Sequence, residues 1–271
     1  MIPLQRTTTG RKLPRVLLPH RFSSQPGTTT EAECGTDVNR SQIKQLGSGD
    51  EGDGNGDLTT KLIRTGVARL IHHGRDVPAV VLCPQALDWF DVAVVDRFIA
   101  FARLTYRIDV QRIHLIGHSA GGSQVWNYAH QHPDVPAAIV PICGASNPSN
   151  PDKPKDPARL ANVSVWAFHC FDDPVVGKGN TIRWMNGISA VLVMDRPDSM
   201  VTYPAKSVGQ AAAGDYTACL AGNTWQWRPG IIADYKRPAC AFTLYRSGGH
   251  DSWTRTYDNQ QMWNWLLAQN R

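Results

Sequence analysis

At 271 residues with 42% hydrophobic content, the chain suits one large domain with a full core, or one domain carrying an insertion. Its 28 basic and 23 acidic residues leave a net charge of +5, scattered without a long run of one sign, which argues against nucleic acid as a partner. No apolar stretch approaches the ~18 residues of a membrane span and no signal peptide is visible, so no membrane partner is expected. The default compartment is the cytoplasm, with secretion if a leader is missing.

The first 45 residues are hard to read. Leu13-Pro14-Arg15-Val16-Leu17-Leu18-Pro19 reads as a short strand between prolines, and residues 23–45 are polar, with no run fit for a central strand. Residues 47–57 hold five glycines and several aspartates; the EF-hand spacing with its closing Glu is absent, so they read as a loop. From Leu58 the spacing predicts a helix through Leu62, Ile63, Val67, Leu70 and Ile71, stopped at His72-His73-Gly74. Residues 79–83 read as a short strand ended by Pro84. Residues 90–106 read as a helix on Val94, Val95, Phe98, Ile99, Phe101 and Ala102. Further strands are expected at 112–117, 137–144, 163–169 and 241–245, and further helices at 123–129, 181–192 and 260–269. Residues 195–240 read as irregular. Strands alternating with helices point to βαβ units and a parallel sheet.

The stretch that carries chemistry is Arg112-Ile113-His114-Leu115-Ile116-Gly117-His118-Ser119-Ala120-Gly121-Gly122. An apolar strand runs into Gly-His-Ser-Ala-Gly and leaves into a helix, which is the context of a nucleophile elbow. A serine at the tip of so sharp a turn leaves no room for a Cβ two positions to either side. The turn lifts the Ser119 hydroxyl above the sheet and aims the Ala120 amide at a developing oxyanion, where a helix N-terminus adds positive potential. His118 is adjacent to the nucleophile in sequence, so it points elsewhere and lines the pocket.

A serine hydroxyl needs a base, and the base an orienting carboxylate. Two later strand ends supply them in the order Ser, Asp, His. After the strand at 163–169 comes Cys170-Phe171-Asp172-Asp173-Pro174; after the last strand comes Ser247-Gly248-Gly249-His250-Asp251-Ser252-Trp253. Glycines ahead of His250 let its imidazole swing over the elbow. Asp172 and Asp173 are not separable from the residues alone: either could simply initiate the turn before Pro174, and Asp195 is an outside candidate. The six cysteines show no C-x-x-C and no zinc spacing. Cys83, Cys143 and Cys170 read as free and buried, while Cys219 and Cys240 are a disulfide candidate if the protein is exported.

Residues 163–176 resemble the W-x-x-H-G-x-x-D-x-x-V segment of α/β-hydrolase serine esterases of the dienelactone-hydrolase and feruloyl-esterase-like group, often labelled predicted peptidases. The elbow, Pro141-Ile142-Cys143-Gly144, and Gly249-His250-Asp251-Ser252-Trp253 with Tyr257 look like the same family, over roughly residues 46–271. The resemblance implies an α/β-hydrolase fold, with a mostly parallel central sheet flanked by helices and a cap-like insertion before the last strand. It implies Ser119 as nucleophile, His250 as base and Asp173, four positions after His169, as the acid. Gly47-Ser48-Gly49-Asp50-Glu51-Gly52 resembles the loop that gives the second oxyanion donor, so Gly47 and Ser48 join Ala120 as candidates. Leu46 stands where the family has His, Ser41-Gln42-Ile43-Lys44-Gln45 replaces the apolar strand before it, and Cys170 replaces a Gly.

The expected activity is hydrolysis of carboxylic esters through an acyl-enzyme, with neither metal nor organic cofactor. Substrate is expected to be a small-molecule or polysaccharide-linked ester. His118, Trp225, Trp227 and Trp253 are candidate substrate-binding residues, the middle two on an insertion at 195–240 that caps or rims the pocket; they could equally pin that loop to the body. A peptidase on the same triad and a hydrolase-like binding protein with an impaired oxyanion hole are the alternatives.

Overall fold

The computed structural model describes residues 15–17, 62–84, 92–145, 156–192, 215–221, 224–229 and 240–271. They belong to two units, Met1–Val110 and Gln111–Arg271. In the first, strands β1 (Arg15–Leu17) and β2 (Val80–Leu82) pair in parallel, with Arg15 opposite Val80 and Leu17 opposite Leu82. A 3-10 turn at Leu62–Arg64 precedes helix α1 (Gly66–His72). The helical pattern read from Leu58 is interrupted because Gly66 has φ 66°, which separates the turn from the helix; residues 58–61 lie outside the described residues.

The expected stop of α1 has a clear cause. Gly74 adopts φ +87°, its amide donates to the Ile71 carbonyl at 3.0 Å, and the Arg75 amide donates to the Leu70 carbonyl at 2.9 Å. That pair of bonds is the Schellman motif, which satisfies the orphan carbonyls of the last turn and needs a left-handed residue at its centre. Helix α2 (Val92–Thr105) buries Val92, Val94, Val95, Ile99 and Ala102. Phe101 was counted on that face by spacing but is 40% exposed.

The second unit holds the long strands β3 (Ile113–His118), β4 (Ala138–Ile142), β5 (Ser164–Cys170), β6 (Tyr216–Ala221), β7 (Thr224–Pro229) and β8 (Cys240–Tyr245). Their order is β3-β4-β5-β8-β6-β7, parallel from β3 through β8 and antiparallel beyond. Every residue of β3, β4, β5 and β8 is buried, which explains why these strands read as continuous apolar runs rather than alternating ones. Helices α3 (Ala120–Gln131), α4 (Gly179–Leu192), α5 (Trp253–Asp258) and α6 (Gln260–Ala268) complete the unit. Short α5 was not anticipated.

Tryptophans pin the helices down. Trp126 of α3 stacks on Trp184 of α4 at 5.0 Å between centroids, and Trp265 of α6 meets Trp166 of β5 edge-on at 5.5 Å. The Trp166 indole donates to the Thr243 hydroxyl at 2.9 Å, so a buried polar edge is satisfied inside the sheet. Within 195–240, read as irregular, the described stretches form the β6–β7 hairpin on the free edge of β8. The Cys219–Cys240 disulfide, a candidate had the protein been exported, is not formed. Cys219 lies opposite Ala241, and strand alternation turns Cys240 to the other face of the sheet. Among the described residues no helix is long and apolar enough to cross a membrane.

Candidate active site

The turn from β3 into α3 is built on backbone contacts that only glycine allows. A Cβ on Gly117 would lie 2.6 Å from the carbonyl carbon and oxygen of Gly121, and one on Gly122 would lie 2.5 Å from the Ile142 oxygen. On the facing strand end, a Cβ on Gly144 would meet the Gly122 carbonyl carbon at 2.4 Å. These close approaches leave Ser119 at the apex with φ 50°, ψ −119°, a conformation that costs a non-glycine residue on the order of 1–3 kcal/mol and persists because its surroundings dictate it.

The hydrogen bonds dictating it run from strand end to strand end. The Ser119 amide donates to Ile142 O at 2.9 Å, the Cys143 amide to Phe168 O at 2.8 Å, and the Phe171 amide to Tyr245 O at 2.8 Å. Each extends the parallel ladder just beyond a strand terminus, through β3, β4, β5 and β8 in turn. The three loops that carry Ser119, Asp173 and His250 are thereby fixed to one frame.

Above that frame the side chains meet. His250 Nε2 lies 2.8 Å from Ser119 Oγ, and His250 Nδ1 lies 2.9 Å from Asp173 Oδ2. Gly248 and Gly249, at φ 144° and 59°, turn the chain so that the ring faces the elbow. Cys170 Sγ closes on this turn, since a Cβ at Gly248 would lie 2.9 Å from it; the glycine absorbs the cysteine that departs from the family pattern. The neighbouring aspartates divide the work. Asp172 is exposed, and its carboxylate accepts the amides of Gly249 at 3.0 Å and Gly248 at 3.4 Å. Asp173 is buried, and its Oδ1 accepts the amides of Val175 at 2.8 Å and Val176 at 2.9 Å. Asp173 therefore forms both the turn and the contact to His250.

Burial alone would raise the Asp173 carboxyl, but hydrogen bonds from His169, His250, Val176 and Val175 outweigh it and hold the group well below the usual carboxylate range. The carboxylate stays ionised at neutral pH. A chain of this kind can remove a proton from the serine hydroxyl while the carboxylate stabilises the resulting imidazolium.

Ala120 is the first residue of α3, at the end where a helix leaves amides without intrahelical acceptors. Gly47, Ser48 and Asp195 lie outside the described residues. His118 is buried, with Nδ1 3.2 Å from the Tyr257 hydroxyl, and its ring lies 4.7 Å from that of Trp253. Trp253 also meets the His250 ring edge-on at 5.3 Å, so it braces both histidines. Trp225 and Trp227 occupy alternate positions of β7, opposite Leu220 and Ala218.

One set of three groups has the composition of a metal site: Cys143, Asp173 and His250 bring ligand atoms within 4.8 Å of one another. The Asp173 and His250 atoms, however, are hydrogen-bonded to each other. Burial pushes the Cys143 thiol up to about 12, which keeps it protonated and a poor ligand at neutral pH. An ion here would have to dismantle the serine-histidine-aspartate chain.

Thr181 escaped the sequence reading, and Asp172 was weighed there as an alternative acid rather than as the acceptor of the Gly248 and Gly249 amides. His169, four residues ahead of Asp173 at the end of β5, was seen only as part of a motif.

The family model for the alpha/beta hydrolase fold matches residues 83–269, and the chain belongs to that family. Among solved structures, a thermostable esterase aligns at 21% identity and a TM-score of 0.55, over 98% of this chain and 57% of its own. A glucuronoyl esterase from Solibacter usitatus aligns at 10% identity and a TM-score of 0.51, over 96% of this chain and 75% of its own. The likeness at these identities is one of fold, and the present chain spans little more than half the length of the first. No curated protein sequence matches it.

Proposed function

We propose that the protein is a serine carboxylesterase that works through an acyl-enzyme. The observation that carries this reading is the hydrogen-bonded run from Ser119 Oγ to His250 to Asp173, at 2.8 and 2.9 Å, on an elbow whose serine sits at φ 50°. His250 takes the hydroxyl proton as Ser119 attacks the carbonyl carbon; Asp173 holds the imidazole tautomer. The negative oxygen of the tetrahedral intermediate is received by the Ala120 amide at the N-terminus of α3. The same imidazole, now protonated, gives its proton to the leaving alcohol, and then activates the water that releases the acid.

Support for an ester rather than an amide comes from the leaving group. An alkoxide departs with modest proton assistance, whereas an amine must be protonated and is usually helped by extended substrate contacts. Both solved structures named above are esterases by name. Trp253 beside the histidines favours an aryl or otherwise flat acyl group, since aromatic faces stack on it.

Hydrolysis of a p-nitrophenyl ester series, acetate through longer acyl chains, beside Ser119→Ala tests the proposal. Turnover that disappears in the folded Ser119→Ala variant is the expected result. Activity retained in that variant would overturn the assignment.

A further inference from the structure

We propose that His169 is a positioning residue for this site, holding the Asp173 carboxylate and its turn through an Nε2–H shared between Asp173 Oδ2 and the Val176 carbonyl, while Thr181 fixes the tautomer of His169. The inference rests on the Ser119–His250–Asp173 reading above. It begins with a count of the carboxylate's partners. An ionised carboxylate offers about four lone-pair positions. On Oδ1 they are taken by the amides of Val175 and Val176. On Oδ2 one is taken by His250 Nδ1 at 2.9 Å, and the other faces His169 Nε2 at 3.2 Å, whose single hydrogen is shared with the Val176 carbonyl at 2.6 Å. Three hydrogen bonds and the facing His169 ring hold the plane of the carboxylate toward His250.

The tautomer of His169 follows from its neighbours. Nε2 faces two acceptors, Asp173 Oδ2 and the Val176 carbonyl oxygen, the latter at 2.6 Å. It therefore carries a hydrogen. Nδ1 lies 2.8 Å from Thr181 Oγ1, and in the neutral ring it accepts the threonine hydroxyl proton. Both side chains are fully buried, so water cannot substitute for either partner. Thr181 stands in the first turn of α4, which begins at Gly179. The relay thus runs from α4 through Thr181, His169 and Asp173 to His250, and it also grips the turn itself, since Val176 gives its amide to Asp173 and its carbonyl to His169.

A buried histidine that merely fills space would affect stability and leave turnover alone. A positioning residue must change kcat with KM held. The experiment compares kcat and KM for hydrolysis of a p-nitrophenyl ester in wild type, His169→Phe, His169→Gln, Thr181→Val, Thr181→Ser and Ser119→Ala, with thermal melts on each. His169→Phe keeps the volume and removes the donor. It should lower kcat about tenfold to a hundredfold, the worth of a hydrogen bond to a charged group, with KM within about twofold. His169→Gln places an amide N–H near the lost one and should recover most of the rate. If His169→Phe does not fold, the Thr181 pair decides: Thr181→Val should lower kcat several-fold and Thr181→Ser restore it. Ring-15N NMR of the wild type should show His169 protonated at Nε2 and not at Nδ1.

Wild-type kcat in the Phe and Val variants, even with lowered melting temperatures, would overturn the inference, as would an Nδ1–H tautomer. The two failures are distinguishable. If Ser119→Ala is inactive while the His169 and Thr181 variants turn over normally, only this inference falls; if Ser119→Ala is fully active, the catalytic reading falls with it.

Discussion

Adding one methyl group at Gly122 tests whether backbone contact, rather than side-chain packing, sets the position of Ser119. Its Cβ would lie 2.5 Å from the Ile142 oxygen and 3.2 Å from both the Gly117 oxygen and the Gly144 Cα. None of these atoms belongs to a side chain that can rotate away. Reaching even 3.0 Å needs a backbone movement of about 0.5 Å. The Ile142 oxygen is also the acceptor of the Ser119 amide at 2.9 Å, so the movement is transmitted to the reacting hydroxyl. Overpacking of this kind costs about 1–3 kcal/mol, and at about 2–4 °C per kcal/mol for a chain of this size the melting temperature should fall by about 2–12 °C. A displacement approaching 1 Å at the reacting atom costs about a hundredfold in rate. The assay is p-nitrophenyl ester turnover with a thermal melt for Gly122→Ala, beside Gly177→Ala and Gly179→Ala, where a Cβ meets nothing within 4 Å. Those controls should keep their activity. A Gly122→Ala protein with wild-type kcat and melting temperature would refute the reasoning.

Asp173→Asn should keep the fold and lose on the order of 10⁴-fold in kcat, because a neutral amide no longer specifies the imidazole tautomer; steady-state kinetics with an unchanged circular dichroism spectrum checks it. The same carboxyl sets an acid limit on stability. Its value is depressed in the fold, so its stabilising contribution is complete above the unfolded value near 3.9 and is lost as pH falls toward the lower folded value. The gap in urea midpoint between wild type and Asp173→Asn should be open at pH 7 and narrow below about pH 4; a gap constant with pH contradicts this. Trp126→Ala, which empties one side of the stack on Trp184, should cost about 3–5 kcal/mol in urea unfolding, while Trp253→Ala, at a half-buried ring, should cost less stability and change selectivity between alkyl and aryl esters.

The parts of the site legible in the sequence were those whose geometry is local. Gly117, Gly121 and Gly122 lie within three positions of Ser119, and a Cβ on Gly117 would meet the Gly121 backbone at 2.6 Å whatever the rest of the chain does. His250 was legible because Gly248 and Gly249 announce a turn just after an apolar strand. Asp172 and Asp173 were not separable on the residues themselves, since both stand at the same strand end. What distinguishes them is which side of the turn faces the sheet, and that depends on Val175 and Val176 folding their amides back. His169 looked like a strand residue because its function depends on Thr181, twelve positions away and on another element. The β6–β7 hairpin was missed for a different reason. Its two six-residue runs are separated by Gly222-Asn223, a dipeptide suited to a two-residue hairpin, yet the long polar stretch before it masked the pattern.

The main-chain bonds that join the strand ends are indifferent to side-chain identity. Ser119, Cys143 and Phe171 each contribute an amide to that frame, and any residue but proline could do the same. Residues on the pocket wall can therefore be exchanged while Ser119, His250 and Asp173 keep their separations. Selection for a new substrate would act on the pocket wall and leave the machinery beneath it untouched.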